Sequence, residues 1–325
     1  MNKYILLSFL LILLFFIGCN SKPQQTTNTT EHTKIQELNT SSNNQEINNQ
    51  TIENNEGEEE NEEILNVNIM NYVQDESAPL FIRFFNVGQP YQHGRLIIIS
   101  KTDFNIVDAE IENETDVVTI NSALDNAEIF IMPTIKNVEL CKKIIDDVLI
   151  GKLILPDYDN EKVKEISSYA SSKGIDVIHV KYGDKMTFNG INITFYGPYP
   201  GELSSDENNA VIFEIRDRRF SFLFLNDALD GELQKLNQHI KHNYDGIEVP
   251  NYGIDLTTGP IMLLFDKTKP SFMILDGYKE CLREVGLDSR NFFREYAKIR
   301  KIPIYDVWTN NGLTITYDGV TYAIQ

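Results

Sequence analysis

Ile129-Phe130-Ile131-Met132-Pro133-Thr134-Ile135-Lys136-Asn137-Val138 is the stretch whose reading decides the fold. The run from Ala127 to Ile131 has the length and β-branched content of a buried strand. Pro133 and Asn137 mark a loop. Beyond it, Leu140, Ile144 and Val148 recur at helical spacing, which predicts a helix from Val138 to about Ile150. A strand-to-helix junction of this kind is a natural place for metal ligands. The loop from Met132 to Asn137 holds no His, Cys, Asp or Glu.

Working outward, the flanking chain alternates strands and helices. Leu80–Val87 and Arg95–Ser100 read as strands joined by a loop that contains His93. Asn105–Asp108 is a third, ending in Asp108-Ala109. Downstream come strands at Lys152–Leu155 and Asp176–Val180 around a helix at Asn160–Lys173. Lys185–Phe188 and Ile191–Tyr196 form a hairpin about Asn189-Gly190, a strong two-residue turn signal. Val211–Ile215 and Phe220–Leu225 form another, followed by Asn226-Asp227. The remainder reads as a helix at Leu229–Lys241, a strand at Gly246–Val249, a helix near Pro260–Lys267, a strand at Ser271–Leu275, a helix at Asp288–Arg300 and three closing strands. Hairpins mixed with βα units predict a layered α/β body with mixed sheets.

Before Leu80 the composition changes. Lys3 and the apolar run Tyr4 to Ile17 make a signal peptide over residues 1–18, too short for a comfortable membrane span. Gly18-Cys19 at its end reads as a bacterial lipoprotein cleavage site, so Cys19 is the expected point of lipidation, with acyl chains such as palmitate holding the chain on a membrane. Residues 19–79 are rich in Asn, Gln, Thr, Ser and Glu, with Glu58-Glu59-Glu60 and Glu62-Glu63. Such a segment buries too little apolar surface to offset its chain entropy and reads as a disordered tether. These features predict an extracytoplasmic, lipid-anchored protein of the cell membrane or outer membrane. Residues 80–325, about 250 in number, suffice for one large domain with a core of its own. The net charge of −19 argues against a nucleic-acid backbone as the main ligand. Cys141 and Cys281 are the other two cysteines, and both a disulfide and two buried thiols are open.

Phe84-Phe85-Asn86-Val87-Gly88-Gln89, Ile106-Val107-Asp108-Ala109, Phe222-Leu223-Phe224-Leu225-Asn226-Asp227, Ile302-Pro303-Ile304-Tyr305-Asp306, Asn311-Gly312-Leu313-Thr314-Ile315 and Asp318-Gly319 follow one another in the order and spacing of a known family. From about Phe81 onward the chain resembles the metallo-β-lactamase superfamily, and within it the extracytoplasmic domain of ComEC-type competence proteins. The resemblance implies an αββα sandwich, two mixed sheets between outer helices.

The family's hydrolases hold one or two metals with Thr-His-x-His-x-Asp-His at the strand-to-helix loop. Imidazoles and carboxylates bind Zn²⁺ at about 2.0–2.2 Å, and a metal pair then activates water. The matching positions here are Ile131, Met132, Thr134, Lys136 and Asn137, with Pro133 kept between the first two. Asp227 matches the family's bridging Asp. Pro250-Asn251-Tyr252-Gly253 stands where the family has Pro-His-His-Gly. One ligand type survives, so zinc and other cofactors are not expected. Met132, Thr134, Lys136, Asn137, Asp227, Asn251 and Tyr252 would line a degenerate pocket, with His93 and Asp108 at its rim. Lys136 is expected to neutralise Asp227 and so to replace the metal electrostatically. Met132, Tyr252 and Tyr91 either make an apolar cleft or plug it.

Other candidates are weaker. His179 reads as a core residue, and His239 and His242, near Asp245, read as a solvated helix end, with a spacing that could also chelate a surface metal. Ser204-Ser205 has no His partner. The reading that follows is a membrane-anchored pseudoenzyme that binds or scaffolds an envelope protein or a small ligand. The alternatives are a metal-dependent nuclease or phosphodiesterase with relocated ligands, for which Asp108, Glu139 and His93 are the remote candidates, and a non-cutting accessory in DNA uptake.

Overall fold

A computed structural model of the chain describes residues 75, 77–87, 94–199, 209–253, 256–276 and 290–325. The signal segment, Cys19, most of the tether, Tyr91, His93, Ser204, Ser205 and Cys281 lie outside the described residues.

The chain begins with β1 (Leu80–Phe84), β2 (Arg95–Lys101) and β3 (Phe104–Glu110), then α1 (Glu114–Ala123), β4 (Asn126–Ile131), α2 (Val138–Asp147), β5 (Leu149–Pro156), α3 (Glu161–Ser172) and β6 (Asp176–Val180). It continues with β7 (Lys185–Phe188), β8 (Ile191–Phe195), β9 (Phe213–Asp217), β10 (Phe220–Phe224), α4 (Asp230–His239), β11 (Gly246–Glu248) and a 3₁₀ turn at Pro250–Gly253. α5 (Thr258–Thr268), β12 (Phe272–Leu275), α6 (Arg290–Arg300), β13 (Ile304–Asp306), β14 (Leu313–Tyr317) and β15 (Tyr322–Ile324) complete it.

Two mixed sheets result, in the orders β15-β14-β1-β2-β3-β4-β5-β6 and β13-β12-β11-β10-β9-β8-β7. Each has a parallel half, β3 to β6 and β10 to β13, joined to an antiparallel half. Period-two alternation sorts the side chains into layers. From β4, Ile129 and Ile131 enter the core between the sheets with Phe213, Phe222 and Phe224. Phe130 faces the other way, into the layer that holds Ile144 of α2 and Ile166 of α3. Leu223 and Ile247 of the second sheet pack outward on Leu233 of α4 and Phe265 of α5. The product is the expected αββα sandwich.

One helix was not expected. α1 reads Glu-Thr-Asp-Val-Val-Thr-Ile-Asn-Ser-Ala, and its β-branched run favours a strand by propensity. A reciprocal cap decides otherwise. Asn113 Oδ1 accepts from the amides of Thr115 at 2.8 Å and Asp116 at 3.2 Å, while Asp116 Oδ2 accepts from the Asn113 amide at 3.0 Å. Gly94 lies against this cap, and a Cβ there would stand 2.1 Å from Asp116 Oδ1. α2 also ends earlier than its apolar spacing suggests. Val148 is already extended, and Leu149 begins β5.

Polar residues close the inter-sheet core at both ends. At the start of β1, Lys101 of β2 and Asp217 of β9 pair across the sheets at 2.9 Å, both fully buried. Arg218 continues this tie. Its guanidinium bonds Asp217, donates to the carbonyl of Ala78 at 3.1 Å and lies over the Tyr317 ring. At the opposite end, where the parallel strands finish, sits a larger polar group.

Candidate functional site

Asp108 and Glu110 stand two apart at the end of β3, so both side chains point between the sheets. Arg95, at the start of β2, faces inward for the same reason, in line with the core residues Ile97 and Ile99. From the other sheet, β11 contributes Glu248. β10 ends at Phe224, and the chain turns through Asn226, whose φ of 53° is left-handed, to deliver Asp227. Glu248 Oε2 fixes that turn by accepting from the amides of Leu225 and Asn226, each at 2.9 Å. The loop after β4 brings in Thr134 and Lys136.

These side chains form one network. Arg95 Nη2 lies 3.3 Å from Asp108 Oδ1, and its Nη1 lies 3.5 Å from Glu248 Oε1. Lys136 Nζ lies 3.1 Å from Asp227 Oδ2 and 3.4 Å from Glu110 Oε1. Thr134 Oγ1 donates to Asp227 Oδ2 at 3.3 Å, and the Tyr252 hydroxyl donates to Glu110 Oε2. Only Lys136, with a side chain 20% exposed, reaches solvent to any extent; the four carboxylates are buried.

Burial and neighbours set the charge states. Burial drives Glu110 well above the usual carboxylate range, and the charge on Asp227 adds to the rise against the pull of Lys136. For Asp227 burial acts in the same direction but is overcome by the Lys136 ammonium and the Glu110 hydrogen bond, so its pKa is lowered. In this coupled pair Glu110 is the group that keeps its proton to higher pH, and Asp227 is the group held charged. Burial raises Asp108 to about 7 despite Arg95, and it also raises Glu248. Burial opposes the charge of Arg95 as well, but Asp108 and Glu248 outweigh it and keep the guanidinium protonated.

Of the residues singled out in the sequence, the fold brings Thr134, Lys136, Asp227 and Tyr252 together. Asp108 joins them from within; it is fully buried and forms no rim. Met132 points into the helix-side core with Phe130 and Leu155 and lines no cleft. Asn137 is the N-cap of α2, its Oδ1 accepting from the Leu140 amide at 3.3 Å. Asn251 donates its amide to the Asn226 carbonyl at 2.7 Å, and both Asn251 and Tyr252 adopt left-handed φ, 45° and 54°. Glu139 stands apart on α2, exposed and paired with Lys142. Cys141 is a buried free thiol.

The histidines fall elsewhere. His179 is exposed on β6 against Ser167, because β6 is an edge strand, and it is not a core residue. His239 and His242 do not converge, since α4 ends at His239. His239 bonds the Tyr182 hydroxyl at 2.8 Å, and His242 bonds Glu214 at 2.9 Å.

Arg95, Glu110 and Glu248 were not singled out from the sequence. The signal for Glu110 was the alternation of β3, which sets it on the face of Asp108. For Arg95 it was the register with Ile97 and Ile99.

No protein-family model matches the chain, and no curated protein matches it. Solved structures do. A mutant of the β-hydroxylase CmlA aligns with a TM-score of 0.50 and 10% identity, over 72% of this chain and 53% of its own length. The chain thus spans about half of that protein. The metallo-β-lactamase fold protein YhfI from Bacillus subtilis aligns at 0.49 and 10% identity, over 73% of this chain and 99% of that one. Zn²⁺-bound PqqB from Methylobacterium extorquens aligns at 0.47 and 8% identity, over 70% and 88%. The fold is a metallo-β-lactamase-like αββα sandwich. At these identities the likeness concerns the fold alone.

Proposed function

We propose that residues 80–325 are a non-catalytic metallo-β-lactamase-like module, held on the extracytoplasmic side of a membrane through a lipidated Cys19 and a tether, that binds or scaffolds an envelope partner or small ligand. One observation carries the non-catalytic reading. The ammonium of Lys136 lies between Asp227 and Glu110, where a hydrolase of this fold would place a cation that activates water. The donor set does not fit zinc. Among the described residues no three His, Cys, Asp or Glu side chains are grouped as ligands would be. The Tyr252 hydroxyl and the Thr134 hydroxyl fill further positions on the same carboxylates. The centre is plugged by its own side chains, and a ligand or partner would meet the surface around Lys136.

The anchoring part rests on the apolar run before Gly18-Cys19. Among the described residues no helix is long and apolar enough to cross a membrane. Incorporation of labelled palmitate, lost in Cys19→Ser, tests it directly. Metal content tests the other part. Full-length protein, purified without chelator and then incubated with Zn²⁺ or Mn²⁺, is expected to carry far less than stoichiometric metal and to show no rise in thermal midpoint, since a bound metal must stabilise by linkage.

A second reading, a metal-dependent phosphodiester hydrolase with relocated ligands, is favoured by one observation. Asp227 Oδ1 and Asp108 Oδ2 are buried acceptors without hydrogen-bond partners. Stoichiometric metal abolished by Asp227→Ala would establish it in place of the first.

A further inference from the structure

We propose that Arg95 and Lys136 are a matched pair of built-in cations, each joining one carboxylate of the first sheet to one of the second, so that together they clasp the sandwich shut at its strand ends in place of bound metal. The inference rests on the reading that this centre takes no metal, and extends it from one lysine to a two-cation device.

The pairing follows from where each group originates. Arg95 bonds Asp108 of β3, in the first sheet, and Glu248 of β11, in the second. Lys136 bonds Glu110 of β3 and Asp227, which follows β10 of the second sheet. Neither cation spends both contacts on one sheet. Four carboxyl groups drawn from two sheets into a buried space would repel one another if all were ionised, and without internal cations each would have to be neutralised or pulled apart. A bound metal solves that problem by coordinating oxygens from both sides. Here two side chains solve it. The division suits their chemistry: the forked guanidinium of Arg95 reaches two carboxylates from a fully buried position, and the compact ammonium of Lys136, with its side chain part-exposed, meets its two at 3.1 and 3.4 Å.

The surrounding polar groups hold the carboxylates in place for these cations. Glu248 is fixed by two backbone amides, Asp227 by Thr134, and Glu110 by Tyr252. The two oxygens left unpaired, Asp108 Oδ2 and Asp227 Oδ1, belong one to each sheet and one to each cation's group.

The test is a double-mutant cycle across the sheets on the full-length chain, with metal content measured on every sample. Lys136→Met and Asp227→Asn should each lower the thermal midpoint by about 5–10 °C, and the double variant by much less than their sum, because it leaves no unpaired charge. Additive losses in metal-free protein would overturn the clasp while leaving the non-catalytic reading intact. Metal in the wild-type protein would overturn that reading instead.

If the variants do not fold, native-state acetylation of milder ones, Asp227→Glu and Glu110→Gln, reads the same contact. Lys136 should be protected in the wild type and acetylated about ten-fold faster in Asp227→Glu, whose longer side chain shifts the carboxylate off the amine and so lowers the cost of deprotonating it, while Glu110→Gln, neutral like the protonated acid it replaces, should change the rate little. A rate in Asp227→Glu as slow as in the wild type would overturn the proposal.

Discussion

Lys136 Nζ and Asp227 Oδ2 stand 3.1 Å apart, although they come from loops that follow strands of different sheets. Neither loop is near the other in sequence, so the contact exists only once both sheets have formed and closed. It is therefore a reporter of the finished sandwich, and the electrostatics around it should be visible in the stability of the whole domain.

Stability should peak in mildly acidic solution. Asp227 is depressed in the folded state, so its contribution is present above the ordinary Asp value of 3.8 and is lost as pH falls through and below it. Asp108 is raised from 3.8 to about 7, so its contribution is full below 3.8 and is lost as pH climbs toward 7. Glu110, Glu232 and Glu248 are raised mainly by burial and act in the same sense as Asp108. Thermal midpoints followed from acid to neutral pH should rise and then decline, and Asp108→Asn should flatten the decline. A midpoint that climbs steadily to pH 7 would contradict this balance.

Tyr252→Phe removes a buried hydroxyl from Glu110 and changes little else in shape. The expected loss is about 1–2 kcal/mol in urea unfolding, because the Glu110 carboxyl loses a donor it cannot replace from solvent. An unaltered midpoint would mean that another donor takes over.

Asn137→Ala should behave as the loss of a helix cap. Its side chain accepts from the amide of Leu140 at the start of α2. A cost of about 1 kcal/mol is expected, with most of it recovered by Asn137→Asp or Asn137→Ser, which cap equally well. If Asp and Ser fail to restore stability, the residue has a further role that the cap does not explain.

At the far end of the core, Lys101 and Asp217 form a fully buried ion pair between the sheets. Lys101→Met leaves buried Asp217 with Arg218 as its remaining cation and should cost about 2–3 kcal/mol, less than a fully stranded charge. The double variant Lys101→Met with Asp217→Leu should recover part of that, since no charge is left in the core and the partly exposed Arg218, which loses its carboxylate, can turn toward solvent. Equilibrium denaturation of the three proteins distinguishes the outcomes; equal losses in single and double variants would show that the pair itself is not what matters.

Much of the architecture is legible in residue patterns. β6 is read at its true limits, and the β7–β8 hairpin follows from Asn189-Gly190, whose positive φ values of 48° and 77° are those the turn needs. α1 escaped because Val117, Val118, Thr119 and Ile120 suggest a strand, while the deciding Asn113–Asp116 cap lies outside that run. In the candidate site, the loop holding Thr134 and Lys136 and the position of Asp227 were legible from the order of motifs. Glu110, Arg95 and Glu248 were not, because a charge at the end of an apolar run looks like the point where a strand leaves the core. Here it marks the point where the core becomes polar. The histidine pair misled for a related reason: spacing places two side chains on one face only while the helix continues, and α4 stops at His239.

Arg218 gives the chain one more property. Its guanidinium grips the Ala78 carbonyl just ahead of β1, and β1 is laced along both edges, to β14 and to β2. Tension applied through the preceding residues would run along that strand and load both rows of its hydrogen bonds in shear, together, before any could peel away singly. Resistance to such pulling is governed by the unfolding rate rather than by equilibrium stability. The entry point of this domain is thus built to resist pulling, and Arg218→Ala should lower the force at which it yields.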